Sequence, residues 1–487
     1  MLEAFFFTIN NLMLIKNINK ETTAMIIGPL LGFIVGAYSI ANGFDIPAGI
    51  TLWITVWTAI WWVFEAVPIP VASLVPLSML PLFGVLSSKQ VAQAYGHKLV
   101  LLLLGGFLLS RAMEKSGAHR RIALKMVSLC GGGGRSLVLG FMIASAFLSM
   151  WISNTATTLM MLPLIVAILE GAEDKKLKIP LLLGVAFAAN VGGIGTPIGT
   201  PPNMVMIGYY ETIKGVEISF LEWMRVGTPI SIIMVFVIWF WVTRSIKNKS
   251  KIPLPDPGEW RTEEIRTLVV FFFTALAWMT RSSPFGGWKN LFGIVPENDA
   301  GLYNLLSNAN DASVAFIAVI VLFCIPSGNN KKERLLDWET ANQIPWGLVI
   351  LVGSGICLGT AISESGLSEY AAGLLSGVGG FKTVFIILCV ALLVTFLTEI
   401  TSNTATTVIL MPILGAVSTA TNLDPTLFLI PAAISASCAF MLPVATMPNA
   451  VVYGTGEFSI KRMVREGFAL NLMGALVVTS VCYLLLF

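Results

Sequence analysis

The hexapeptide Ser-Asn-Thr-Ala-Thr-Thr occurs twice, at 153–158 and at 402–407. Each copy lies inside an apolar stretch and is followed by a proline, Pro163 and Pro412. Motif and proline share one offset of 249 (402 − 153 and 412 − 163). A polar cluster in an apolar medium is costly unless it finds partners. Two copies in one register therefore constrain the chain to a duplicated half-molecule, with one polar centre shared between the halves.

The medium is a bilayer. Apolar residues make up 56% of the chain and charged residues 12%. Many runs near 20 residues are almost free of charge, the length a helix needs to cross hydrocarbon. The pattern predicts an all-α polytopic membrane protein, since a β-barrel would show short alternating segments. Eleven full crossings are expected, near 24–43, 48–66, 70–86, 99–114, 179–210, 227–244, 265–281, 312–327, 346–362, 427–460 and 466–486. Two further stretches, 136–168 and 385–415, carry the hexapeptides and are broken at their middles, which predicts two re-entrant hairpins. Residues 1–23 read as an interfacial or disordered lead-in rather than a signal peptide. Lys16 and Lys20 follow Phe5–Phe7 instead of preceding them, and no small-residue cleavage site comes after.

Charge orients this topology. With the N-terminus inside and both hairpins re-entrant, only Lys89, Lys98, Lys214, Arg225, Arg281, Lys289 and Lys382 of the 30 Lys and Arg fall outside. The bias follows the positive-inside rule loop by loop, and making either hairpin a full crossing would reverse every later loop. The expected arrangement in the cell (plasma) membrane is an inside N-terminus and an outside C-terminus. The first hairpin then enters from inside and the second from outside, so the repeats are inverted. Gly106 and Gly117 are answered by Gly355 and Gly366, and the run ending at Asn203 is answered by one ending at Asn449. The stretch 245–264, with Pro253, Pro255 and Pro257, links the halves. The segments 115–130 and 365–378 suit helices lying in the interface plane.

Four places break the helical pattern: Ser153–Thr155, Gly195–Asn203, Ser402–Thr404 and Pro443–Asn449. Broken helices free backbone N–H and C=O groups at depth, where only protein or a water-filled cavity can satisfy them. Half-helix N-termini offer N–H groups to an anion. Unwound carbonyls with Ser, Thr and Asn oxygens suit Na⁺, a hard cation. No Lys or Arg stands at these breaks. The centre therefore suits an anion neutralised by bound cations.

Other chemistries lack their residues. His97 and His119 are unpaired, and neither HExxH nor GxSxG occurs, so no enzyme is indicated. The six Cys stand singly, which indicates neither a metal site nor a disulfide framework. Nothing points to nucleic acid. Glu65 and Glu399 lie at depth. For Glu399 two roles are open, hydrogen bonds that position a helix, and ion or proton coupling.

The paired SNT motifs, the GTPPN at 199–203 and the run from Ser437 through Phe440, Pro443 and Asn449 to Val452 resemble the divalent-anion/sodium symporter family over nearly the whole chain after residue 24. The resemblance implies an elevator-type homodimer. It would have scaffold parts at 24–135 and 265–384, and transport parts at 136–244 and 385–487. It implies one Na⁺ site at Ser149, Ser153, Asn154 and Gly199, and another at Thr398, Thr401, Asn403 and Ala445, with Thr401 and Ala445 acting through their backbones. The substrate carboxylates would meet Asn154, Thr155, Thr200, Asn403, Thr404 and Thr446. Met447 departs from the family, standing beside the substrate where many relatives have Pro. The implied function is Na⁺-coupled uptake of C4-dicarboxylates such as succinate, malate or fumarate. The alternative is an exchanger of dicarboxylates, tricarboxylates or sulfate on the same fold.

Overall fold

Proline and glycine punctuate an otherwise continuous helical chain, and their positions decide where the helices stop. The computed structural model describes residues 20–131, 133–170, 175–246, 258–282, 286–291, 294–296, 302–328, 333–374 and 381–486. The lead-in up to residue 19 and the middle of the linker, 247–257, lie outside the described residues. The architecture is helical. β structure among the described residues is confined to short pairings such as Ile294–Pro296 with Leu302–Asn304, antiparallel.

Eight described helices are long and apolar enough to cross a bilayer, among them Lys20–Ala41, Ile46–Phe64, Phe220–Val242 and Ile460–Leu486. The expected crossing at 70–86 is instead two short helices, Ile69–Ala72 and Leu74–Leu82. Pro76 accounts for the interruption: it lacks the N–H that would bond the Ala72 carbonyl, and its ring crowds the preceding turn, whereas Pro68 and Pro70 stand at the start of the first helix. The crossing expected at 312–327 is the 14-residue helix Asp311–Cys324. It stops just before Ile325-Pro326, as a residue preceding proline disfavours the helical region. At 1.5 Å per residue it spans about 21 Å, short of the roughly 30 Å of hydrocarbon. Glu65 ends the helix Ile46–Phe64 as an exposed left-handed C-cap, φ 47°.

The duplication is structural. The helix Lys98–Ser116 is answered by Trp346–Glu364, and Gly134–Ser149 by Thr383–Leu397. Asn154–Glu170 is answered by Asn403–Thr421, with starts 249 apart (403 − 154). The two remaining pairs are arms. The first arm is Lys178–Gly192, a 3₁₀ turn Gly193–Gly195, then Pro201–Lys214. The second is Thr426–Ala436, a 3₁₀ turn Pro443–Ala445, then Met447–Tyr453. A closing helix follows each, Phe220–Val242 and Ile460–Leu486.

Packing ties the halves across one another. The helix Asn154–Glu170 packs on Met447–Tyr453 of the second arm, and Asn403–Thr421 packs on Pro201–Lys214 of the first. Each closing helix also lies against the unwound loop of its own arm. A Cβ at Gly227 would stand 2.4 Å from the Ile194 carbonyl oxygen, and one at Gly467 would stand 2.2 Å from that of Phe440. Only glycine allows either approach.

The two arms end differently. After the first arm, Glu217 bonds the buried Arg281 at 2.6 Å, and Arg281 also bonds Asp311 at 2.6 Å. Lys98 bridges Glu217 and Glu211 at 3.4 and 2.7 Å. Burial alone would push the Glu217 carboxyl up, but Arg281 and Lys98 hold it below the usual carboxylate range. After the second arm, Glu457 pairs among the described residues with Lys178 at 2.5 Å, each side chain more than a third exposed.

Candidate binding site

Both hexapeptides sit at helix starts. The helix Gly134–Ser149 stops, the chain turns through Met150–Ser153, and a new helix begins at Asn154. The second half does the same, from Leu397 through Thr398–Ser402 to Asn403. Thr155 and Thr404 fall in the first turn of the new helices, where backbone N–H groups have no helical partner. Pro163 and Pro412 lie inside those helices, beyond the first turn.

Behind each Asn stands a hydroxyl. Ser149 Oγ lies 2.5 Å from Asn154 Oδ1 and 2.7 Å from the Ala189 carbonyl oxygen. Thr398 Oγ1 lies 2.6 Å from Asn403 Oδ1 and 3.0 Å from the Ala436 carbonyl oxygen. Each cluster thus gathers three oxygens round one hydroxyl hydrogen. A hydroxyl has one hydrogen to give, so such a set holds more acceptors than it can satisfy by itself. The first cluster adjoins the first arm: a Cβ at Gly193 would stand 2.9 Å from Asn154 Oδ1 and 3.0 Å from the Gly199 carbonyl oxygen. Among the described residues no group of three or more His, Cys, Asp or Glu could hold a metal. A cation at either cluster would therefore be held by neutral oxygens, which suits a hard monovalent ion.

The other expected residues are placed unequally. Ser153 caps its helix, Oγ accepting from the Ala156 N–H at 3.4 Å, while its own N–H donates to Ser110 Oγ at 3.4 Å. Thr401 Oγ1 donates to the Leu397 carbonyl at 2.8 Å and touches Thr406 Oγ1 at 2.5 Å. Ala445 ends the 3₁₀ turn of the second arm. Neither bonds Asn403 among the described residues. Thr200 and Thr446 are the N-caps of the two arm helices, and only Thr446 makes a side-chain cap bond. Met447 follows it 61% exposed, so its side chain is free to meet whatever lies at the break.

Three asparagines carry weight that the motifs alone did not reveal. Asn203 Nδ2 donates to the Gly193 and Thr196 carbonyls at 2.9 and 2.7 Å. Asn449 Nδ2 donates to Ala439 and Leu442 at 3.0 and 3.1 Å. Each returns to its own unwound loop and satisfies carbonyls freed there, at one offset of 246 (449 − 203, 439 − 193, 442 − 196). Asn190, on the first arm, crosses to the second: its Nδ2 reaches Thr446 Oγ1 and Asn449 Oδ1 at 3.1 Å each and the Ala439 carbonyl at 3.3 Å. The available signal for Asn190 was a lone amide in the apolar run before Gly192.

Glu399 has positioning bonds. Its carboxylate accepts the N–H groups of Phe440, Met441 and Leu442 at 2.7, 2.9 and 3.0 Å, and Asn471 Nδ2 at 2.8 Å. It is buried and holds the second arm's unwound loop by its amides.

Against known proteins, the citrate transporter family pattern matches residues 59–426 and again 315–487. A curated sodium-dependent dicarboxylate transporter, SdcS of Staphylococcus saprophyticus, is 37% identical over 501 aligned positions, covering 96% of this chain and 93% of that protein. Its namesake in Staphylococcus aureus is 36% identical, covering 95% and 91%. Among solved structures, the YdaH transporter of Alcanivorax borkumensis superposes with a TM-score of 0.58 at 13% identity, over 90% of this chain and 98% of that one. MtrF of Neisseria gonorrhoeae, described as illuminating a class of antimetabolite efflux pumps, superposes at 0.62 with 12% identity, over 99% and 97%. At such identities the two structures speak for the fold alone.

Proposed function

This chain belongs to the citrate transporter family, as a divalent-anion/sodium symporter, and on that premise we propose that it couples Na⁺ to the movement of dicarboxylates across the membrane. The two curated relatives at 36–37% identity are both named sodium-dependent dicarboxylate transporters. The observation that carries the reading is the pair of matched oxygen clusters, Ser149–Asn154–Ala189 and Thr398–Asn403–Ala436, each behind a helix N-terminus.

Each cluster takes one Na⁺. A cation there satisfies the surplus acceptors and places positive charge beside the first-turn N–H groups. Ser153 and the Gly199 carbonyl complete the first ion site, and the Thr401 and Ala445 carbonyls the second. The substrate is a C4-dicarboxylate such as succinate, malate or fumarate. One carboxylate meets Asn154, Thr155 and Thr200, and the other meets Asn403, Thr404 and Thr446. The helix N-termini and the bound cations together supply the positive potential, since no Lys or Arg occurs between Lys382 and Lys461 or between Lys178 and Lys214. Without Na⁺ the dianion faces only partial charges, so binding is coupled to the ion by electrostatics.

The crossed packing of hairpins and arms supports a transport unit that moves as one body. In the proposed elevator, the parts at 136–244 and 385–487 carry the substrate past a scaffold of 24–135 and 265–384. The scaffold forms the homodimer contact, the N-terminus is cytoplasmic and the flux runs into the cell. No enzymatic step is involved.

Uptake of labelled succinate into proteoliposomes, with an inward Na⁺ gradient or with K⁺ in its place, tests the proposal. Uptake in Na⁺ alone is expected. Equal uptake in both would replace symport by exchange on the same fold.

A further inference from the structure

Among the described residues, Asn190 joins the first arm to the capping atoms of the second through its side chain, and it is 1% exposed. Its orientation is fixed by its partners. Asn449 spends its Nδ2 on the Ala439 and Leu442 carbonyls, so the atom it turns toward Asn190 is its acceptor Oδ1. Facing that oxygen and the Ala439 carbonyl, Asn190 can present only its NH₂ group. Its two hydrogens serve the two nearer acceptors, Thr446 Oγ1 and Asn449 Oδ1 at 3.1 Å each, while the Ala439 carbonyl at 3.3 Å already accepts from Asn449 Nδ2.

Thr446 Oγ1 therefore accepts twice, from Asn190 Nδ2 and from the Asn449 N–H at 3.3 Å. A hydroxyl oxygen has two lone pairs and one hydrogen. With both lone pairs engaged, the hydrogen must point away from the two donors. Thr446 is half-buried and opens onto the break, next to the exposed Met447.

We propose that Asn190 is a positioning residue for anion recognition: by occupying Thr446 Oγ1 it turns the Thr446 hydroxyl into an obligate donor toward a substrate carboxylate. The effect belongs to the second half alone. The counterpart of Thr446 is Thr200 (446 − 200 = 246), which makes no side-chain cap bond. The counterpart of Asn190 is Ser437, by the offset of 247 that relates Ala189 to Ala436, and its buried hydroxyl has no partner among the described residues. One carboxylate of the substrate thus meets a pre-set donor, while the other meets Thr200, which is buried but makes no cap bond. This inference rests on the reading that Thr446 contacts substrate.

The test is a double-mutant cycle in proteoliposomes, with KM for succinate and half-saturation for Na⁺ measured separately. Thr446→Ala and Asn190→Ala are each expected to raise KM about tenfold, and the double variant no further, with Na⁺ half-saturation at saturating succinate unchanged. Asn190→Asp should be worse than Asn190→Ala, because its carboxylate would accept the Thr446 hydrogen and turn it from the substrate. Additive single effects, or an equal rise in Na⁺ half-saturation, overturn the proposal and mark Asn190 as structural. An unchanged KM in Thr446→Ala overturns the substrate role of Thr446 itself, a failure separable from the first. If Asn190→Asp does not give a monodisperse protein, the alanine cycle alone decides.

Discussion

The first and second halves grip in the same way and are braced in opposite ways. At the helix breaks they match atom for atom: Ser149 and Thr398 each approach an Asn side-chain oxygen and an arm carbonyl. In the loops that follow they diverge. The first loop is held by its carbonyls, with Trp223 Nε1 donating to Ile194 at 2.9 Å and Thr228 to Gly195 at 2.9 Å, while Thr196 donates to the Met150 carbonyl at 2.5 Å. The second is held by its amides, through the Glu399 carboxylate. The position of Glu399 in the first half is occupied by Met150 (399 − 249). Symmetry is kept in the two hydroxyl clusters and lost where the loops are anchored. The proposed shared site would need matched ligands, whereas a loop can be anchored through either of its polar groups.

Substitutions can break this comparison at several strengths. Asn154→Ala and Asn403→Ala remove matched ligands, and each should lower transport by about a hundredfold or more while the protein stays monodisperse. Unequal losses would show that the clusters are not equivalent. Glu399→Ala leaves three loop N–H groups without an acceptor, at about 1–3 kcal/mol each. It should sharply lower the thermal unfolding temperature in detergent, whereas Met150→Leu should change it little. Trp223→Phe and Thr228→Ala each remove one bond to a carbonyl of the buried first loop, and should cost about 1–3 kcal/mol each by the same readout. The arm ends give the smallest contrast. Glu217→Gln should destabilise more than Glu457→Gln, because Glu217 faces the buried Arg281 while the Lys178–Glu457 pair is solvated. The Glu217 carboxyl is held below its usual range, so its contribution is complete at neutral pH. It is lost only as pH falls through that lowered value, which a pH series of unfolding curves would show.

Much of this was legible in the sequence because hydrophobicity and register are local properties. The repeat offset of 249 foretold which helices answer one another, and Gly, Pro and polar residues marked all four breaks. The interrupted segment Ile69–Leu82 was less legible, since an apolar run shows its length but not how its prolines divide it. Asn190 and the choice between roles for Glu399 could not be read. The partners of Asn190 lie 249 to 259 positions away and those of Glu399 between 41 and 72, so only the folded packing brings them together. The crossing of each hexapeptide helix onto the other half's arm is likewise a tertiary fact. It turns two repeats into one centre.

The central claim is that the two matched clusters each bind one cation and jointly create the anion site. Succinate binding to the purified protein, titrated with Na⁺, measures it most directly. The account predicts a sigmoidal Na⁺ dependence in the wild type, becoming hyperbolic and shifted to higher Na⁺ in both Ser149→Ala and Thr398→Ala. A hyperbolic wild-type curve, or a curve that either substitution leaves unchanged, would contradict it.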